Sequence, residues 1–219
     1  MFIVIIEVES NTNYIMKLIF TAILLLALSA CSGQQYKAED FKVVNRTLSI
    51  TNNGSVIHLD EVNDDGKAWI KGGKFTNGNI EFDIKGKDVL QQSFVGFAFH
   101  AVNDSTYDAI YFRPFNFKAA DPARKAHAVQ YVSSPKYDWS RLRTEFPNKY
   151  EKPLNTPPDP NSWFHVRITV KGKEISVFVN NEAKPSLVVE QIVAVNGEMI
   201  GYWVGNGSGG DWKNLKITR

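Results

Sequence analysis

One cysteine, Cys31, is all that the 219 residues contain, which leaves no internal disulfide and no multi-cysteine zinc site, so stability has to come from an apolar core. Charge of one sign is missing too. The 25 Lys and Arg residues are scattered among 23 Asp and Glu, without the long basic field of a nucleic-acid binder, and nucleic acid is not an expected partner. The four histidines, His58, His100, His127 and His165, fall at no familiar ligand spacing, and H-E-x-x-H, G-x-S-x-G, P-loop and dinucleotide fingerprints are lacking. No resident cofactor is expected, save that Asp and Asn oxygens of the Asn206–Asp211 turn leave a structural Ca2+ open. Without a repeat of about 20–50 residues, a solenoid or propeller is disfavoured.

Long hydrophobic runs are equally scarce. The longest, Leu18–Leu28, has eleven residues, too few for the ~20 that span a hydrocarbon core. It follows Met16-Lys17 and precedes Ser29-Ala30-Cys31, the layout of a signal peptide with a short basic head and a small-residue cleavage site. Glu7 and Glu9 carry the wrong charge for such a head, which makes Met16 the expected start. Leu28-Ser29-Ala30-Cys31 resembles the bacterial lipobox, and this resemblance implies lipidation of Cys31, with multiple acyl chains anchoring the protein where one would be marginal. The expectation is a leader over 1–30, a lipidated polar tether over 31–40 and a folded domain over 41–219, held at the bacterial cell envelope by a membrane anchor. Ser32 suits outer-membrane sorting by analogy with other lipoproteins. Removing the leader leaves 24 basic against 21 acidic side chains, still near neutral.

From Phe41 onward apolar residues alternate with a period of two, in runs bounded by Gly, Asn, Asp and Pro clusters, the pattern of strands. Strands are expected over 42–50, 55–62, 68–70, 79–85, 94–102, 109–113, 127–132, 164–170, 174–179, 187–190, 198–204 and 212–218. Asn52-Asn53-Gly54, Asp64-Asp65-Gly66, Lys171-Gly172-Lys173 and Asn180-Asn181 sit where tight reversals are wanted. Eight of the nine prolines fall between Pro114 and Pro160, in a long loop with one two-turn helix over 138–146 capped by Asp138. So many short strands without helical partners must cover each other, which predicts an all-β, two-sheet antiparallel sandwich with a long Pro-rich loop.

The pair Trp163–Val170 and Glu174–Asn180, reversed at Lys171-Gly172-Lys173, together with Glu198–Val204 and Gly209–Ile217, resembles the closing strands of concanavalin A-like lectin/glucanase jelly rolls, a group that includes laminin-G-type modules and bacterial 3-keto-disaccharide hydrolase-type domains. The resemblance implies a jelly roll and speaks for fold far more than for activity. Laminarinase-type members carry E-x-D-x-x-E on one strand. Here Glu81-Phe82-Asp83-Ile84-Lys85-Gly86 puts glycine in the third position, leaving that catalytic set incomplete.

The candidate site starts from Tyr107–Arg113, where alternation gathers Tyr107, Tyr111 and Arg113 on one face. Gly96, Ala98 and His100 of the preceding strand would make a floor. The 127–131 strand adds His127 and Tyr131 on one side and Gln130 on the other, and the loop supplies Arg124, Trp139, Arg141 and Arg143. Aromatic faces flanked by planar hydrogen-bond donors are what sugar recognition requires. Each residue also has a bland alternative: a structural ion pair for Arg113, a structural histidine for His127, a core network for Gln130, core packing for Trp203 and Trp212. Three functions remain open. The groove binds carbohydrate, or it hydrolyses a glycoside with His127, Asp108 or Glu145 as acid or base near Arg113, or the domain is a structural or protein-binding envelope module.

Overall fold

The computed structural model describes residues 35–194 and 196–219; the leader and Cys31 lie outside the described residues. Among the described residues fourteen strands form, β1(Phe41–Val44), β2(Leu48–Thr51), β3(Val56–Val62), β4(Gly66–Ile70), β5(Gly78–Lys85), β6(Val95–Ala101), β7(Tyr107–Phe112), β8(Val129–Ser134), β9(Glu151–Lys152), β10(Phe164–Lys171), β11(Glu174–Val179), β12(Leu187–Glu190), β13(Met199–Val204) and β14(Ser208–Thr218). They make two seven-stranded sheets, a front sheet β1-β4-β13-β6-β7-β8-β9 and a back sheet β12-β11-β10-β5-β14-β3-β2. Every pairing is antiparallel.

Alternation explains the back sheet directly. Ile80, Phe82 and Ile84 of β5 and Phe164, Val166, Ile168 and Val170 of β10 are buried inward, while Glu81, Asp83 and His165 stay outside and pair with one another, His165 Nδ1 lying 2.8 Å from Asp83 Oδ1. The incomplete E-x-D row is thus an ion-paired outer surface on the back sheet. Between the sheets, Phe82 meets Phe97 with ring centroids 5.2 Å apart, and Phe112 meets Phe164 at the same separation. Each such fully buried side chain contributes about 1.5–3 kcal/mol.

Several expectations are corrected. The run 42–50 is two strands in different sheets, because Asn45 takes a left-handed turn (φ 50°) and its amide donates to the carbonyls of Asn63 and Asp65. Strand β9, absent from the sequence reading, is only two residues long. The expected Asn206–Asp211 turn is mostly the start of β14, with a bulge at Ser208/Gly210. The Pro-rich segment holds three short helices, α1(Pro114–Phe117), α2(Pro122–Lys125) and α3(Trp139–Glu145). The last has the anticipated cap, its Asp138 carboxylate accepting from Arg141 N at 2.8 Å. Tyr36, ahead of the first strand, is buried against Phe41 and donates its N–H to Gly54 O. Among the described residues no helix is long and apolar enough to cross a membrane.

Candidate functional site

Strands β6 and β7 are buried along their whole length on both faces. A sandwich strand ordinarily shows one face to water, so the outer face of the front sheet is covered by something else. That cover is the chain around Leu90–Phe94 and the Pro-rich segment, which together wall a groove of about 770 Å³ above the front sheet.

The floor is aromatic. Tyr111 of β7 and Trp203 of β13 lie 5.0 Å apart, centroid to centroid, across β6. Gly96 separates them in register and makes that approach possible. A Cβ at position 96 would stand 2.2 Å from Ile110 O and 2.7 Å from Tyr111 Cα. Trp203 Nε1 donates to the Tyr107 hydroxyl at 3.1 Å, locking the third ring. Burial pushes both phenols up to about 12, the charge of Asp65 adding to the rise at Tyr107 and that of Arg113 opposing it at Tyr111. Both therefore stay neutral at physiological pH. Phe94 and Phe115, packed edge to face at 5.4 Å, line one end, and Trp139, 50% exposed, stands at the rim.

One wall is cationic. Arg113 Nη2 donates to the Tyr111 hydroxyl at 2.6 Å and to Gln130 Oε1, and Nη1 donates to His127 O at 3.0 Å. Behind it, Glu151 is 3% exposed and takes both prongs of Arg143, at 2.7 Å each. His127 Nδ1 lies 2.8 Å from Glu151 Oε2 without a well-directed hydrogen bond. Burial lowers the His127 pKa, the Glu151 charge opposing it. Desolvation likewise lowers Arg113, opposed by Tyr111 and Glu151, whereas the Glu151 bonds raise Arg143. Arg124 donates from Nη2 to Phe115 O at 2.6 Å and from Nε to Asn116 Oδ1 at 3.2 Å. Toward the β4 side lie Asp65, its carboxyl raised by burial, and Asn206.

Of the residues singled out from sequence, Tyr107, Tyr111, Arg113, Arg124, His127, Trp139 and Arg143 line the groove, whereas Arg141 pairs with Glu145 along α3. Gln130 shares their face, opposite Tyr111, but is wholly buried beneath it. Tyr131 is corrected to the interior: it pairs with Ile110 and its hydroxyl donates to Asp108 Oδ1 at 2.8 Å. The strand begins at Val129, so alternation counted from His127 inverts both residues. His100 also leaves the floor, because its left-handed backbone (φ 53°) turns the ring onto Asp108 and Thr76 O. Of the candidate acids and bases only His127 is at the groove. Asp108 is interior and Glu145 pairs with Arg141 on α3.

Sequence reasoning missed Asp65, Phe94, Phe115 and Asn116, while Trp203, read more readily as core, is buried and lines the groove as well. Aromatic density in Phe94 and Phe115, beside a strand with no polar face, was the available signal. No group of three His, Cys, Asp or Glu side chains suited to a metal occurs among the described residues. In the stretch considered for Ca2+, Asp211 is held by His58 and Lys85 and the Asn206 oxygen by Asp64 N, so these residues do not fit a calcium ion.

No protein-family model and no curated protein sequence matches the chain. Solved structures do. Carbohydrate binding module CBM66 from Bacillus subtilis superposes with a TM-score of 0.57 at 14% identity, over 80% of this chain and 93% of its own. A candidate glycosyl hydrolase from Parabacteroides distasonis gives 0.53 at 15%, over 82% and 93%. The exoplasmic/lumenal domain of VIP36 in its Ca2+/Man3GlcNAc-bound form gives 0.53 at 10%, over 84% and 87%. At such identities the likeness is one of fold, and together with the two seven-stranded antiparallel sheets it makes this chain a jelly-roll β-sandwich, the fold that the sequence resemblance implied.

Proposed function

We propose that the groove binds carbohydrate. One observation carries this reading: three interlocked aromatic side chains, Tyr107, Tyr111 and Trp203, floor an open depression with an exposed tryptophan, Trp139, at its rim. Sugar rings offer apolar C–H faces to such platforms while their hydroxyls seek hydrogen bonds from the walls. Names among the fold neighbours support it, one being a carbohydrate-binding module and another a complex with Man3GlcNAc.

Glycoside hydrolysis asks more. A retaining or inverting pair needs two available carboxyl groups about 5–9 Å apart. At this groove Asp138 caps α3 and Asp65 lies toward the β4 side, while Glu151, behind the wall, is saturated by Arg143. The test is calorimetric titration of the protein with a panel of neutral and acidic oligosaccharides, followed for released sugar. Saturable binding without release is expected, weakened about two- to tenfold by Trp139→Ala, given that an aromatic contact contributes about 0.5–1.5 kcal/mol. No binding across the panel, or binding indifferent to Trp139, would overturn the proposal. Release of sugar would move it to hydrolysis.

The proposed setting is the bacterial envelope, through a lipid on Cys31, supported by the Leu28–Cys31 pattern. Cys31→Ser is expected to abolish fatty-acid labelling and shift the protein from the membrane to the soluble fraction. Labelling that survives the substitution refutes the anchor.

A further inference from the structure

The walls of this groove divide their hydrogen-bonding groups unevenly. At the end formed by α1, α2 and β9, the side-chain acceptors are already taken from behind, save the His127 ring. Glu151 Oε1 and Oε2 accept from Arg143, Gln130 Oε1 from Arg113 and Tyr111, and Asn116 Oδ1 from Arg124. The His127 carbonyl accepts from Arg113 and Asn116. What is left over is donors. A guanidinium carries five N–H groups, and among the described residues the protein bonds of Arg124 and Arg143 use only Nε and Nη2, leaving Nη1 of each without an acceptor. Gln130 Nε2, fully buried beneath this wall, also lacks a partner. Arg113, Arg124 and Arg143 stand against Glu151 behind the wall and Asp138 in the lining, an excess of positive charge.

A hydroxyl that accepts from such a wall must still place its own proton, and this wall offers it little beyond the His127 ring. An acceptor-only group does not have that conflict. Resting on the carbohydrate reading above, we infer that the groove selects an acidic saccharide, its anionic substituent, a carboxylate or a sulfate ester, held by Arg124 and Arg143 while its ring lies on the Tyr111–Trp203 floor. Both guanidiniums are pre-oriented by the bonds already described, so little side-chain ordering is needed on binding, and charge-assisted hydrogen bonds are the strong ones.

The test is titration with an oligogalacturonate, its carboxyl-reduced neutral counterpart, a sulfated oligosaccharide and inorganic sulfate, each at low and high salt. The oligogalacturonate or the sulfated sugar is expected to bind at least tenfold tighter than the neutral counterpart, with an advantage that shrinks as salt rises. Which of the two binds tells carboxylate from sulfate ester. Arg124→Gln is expected to bring the ratio of acidic to neutral affinity close to one. Should that variant fail to fold, Arg124→Lys, which keeps the charge and loses the planar fork, is expected to lower it severalfold. Equal affinity for the acidic and reduced sugars overturns this inference and leaves carbohydrate binding standing. Failure of every sugar overturns both, and binding of inorganic sulfate as tight as the sulfated sugar marks an adventitious ion only, which also overturns the inference.

Discussion

Replacing Glu151 by glutamine keeps the shape of the side chain and removes one charge from the most heavily buried ionic cluster of the groove. Glu151 is 3% exposed, and its oxygens lie 2.7 Å from Arg143 Nη2 and 3.7 Å from Arg113 Nη1, whose side chain is only 6% exposed. Without the carboxylate, two guanidiniums share the pocket with no counter-charge. Removing one partner of a buried pair costs about 3–5 kcal/mol because the other is left uncompensated, whereas losing an exposed pair costs under ~1 kcal/mol. The Arg143 side chain is 35% exposed, so water recovers part of its share, but Arg113 has no such outlet. A domain of this size loses about 2–4 °C per kcal/mol, so the melting temperature should fall by roughly 6–20 °C. Calorimetry and urea titration with an unchanged slope provide the measurement. Adding Arg143→Gln in the same chain should recover part of the loss, since one of the two stranded cations is then gone. A decrease under about 1 kcal/mol, or a double variant whose losses simply add, would refute the assignment of Glu151 as the counter-charge that holds the cationic wall together.

Two further outcomes follow from the same geometry. Gly96→Ala drives a methyl group against Ile110 O and Tyr111 Cα, and overpacking of this kind costs about 1–3 kcal/mol. It should also separate Tyr111 from Trp203 and so weaken sugar binding in titration, and a fully stable variant with intact affinity would contradict the described floor. Asp65 has its carboxyl raised by burial, with Lys67 and Arg46 opposing. The native state then holds this proton more tightly than the unfolded chain, so the contribution of Asp65 is fully present below its unfolded value and is lost as pH rises through the folded one. Asp65 is solvent-exposed, so water screens much of this effect, and Asp65→Asn should melt only slightly higher than the parent at pH 7 and equally with it near pH 3; a variant that is less stable at pH 7 would reverse the sign.

Alternation was readable wherever one strand face meets the core and the other meets water. That is why β5, β10, β11 and β12 were legible nearly to the residue. It failed where backbone conformation, rather than side-chain character, sets the facing. Asn45 breaks one expected strand into two sheets, His100 inverts its own direction, and His127 precedes the strand from which Tyr131 and Gln130 must be counted. The groove was partly legible because Tyr107, Tyr111 and Arg113 give β7 no solvent face. Its far wall was not, since Phe94, Phe115 and Asp65 come from loops whose approach to the front sheet depends on long-range packing that no local pattern encodes. Trp203 looked like core for a simple reason: it is nearly as buried as core.

Strand β7 carries Tyr111 over the groove on one side and, on the other, Asp108, which is held by His100, Tyr131 and Gln191. A slip of one residue along its neighbours would present Asp108 and Ile110 to the groove and drive the two phenols between the sheets. The register of this strand is thus specified twice, by incompatible polar demands on opposite sides. Folding and assembly of the groove floor are then a single event, with no stable sandwich that lacks it. Substitutions that abolish binding in a protein that still melts cooperatively should accordingly map to the covering loops, where change is tolerated, and the diversity of ligands among such domains has room to arise there.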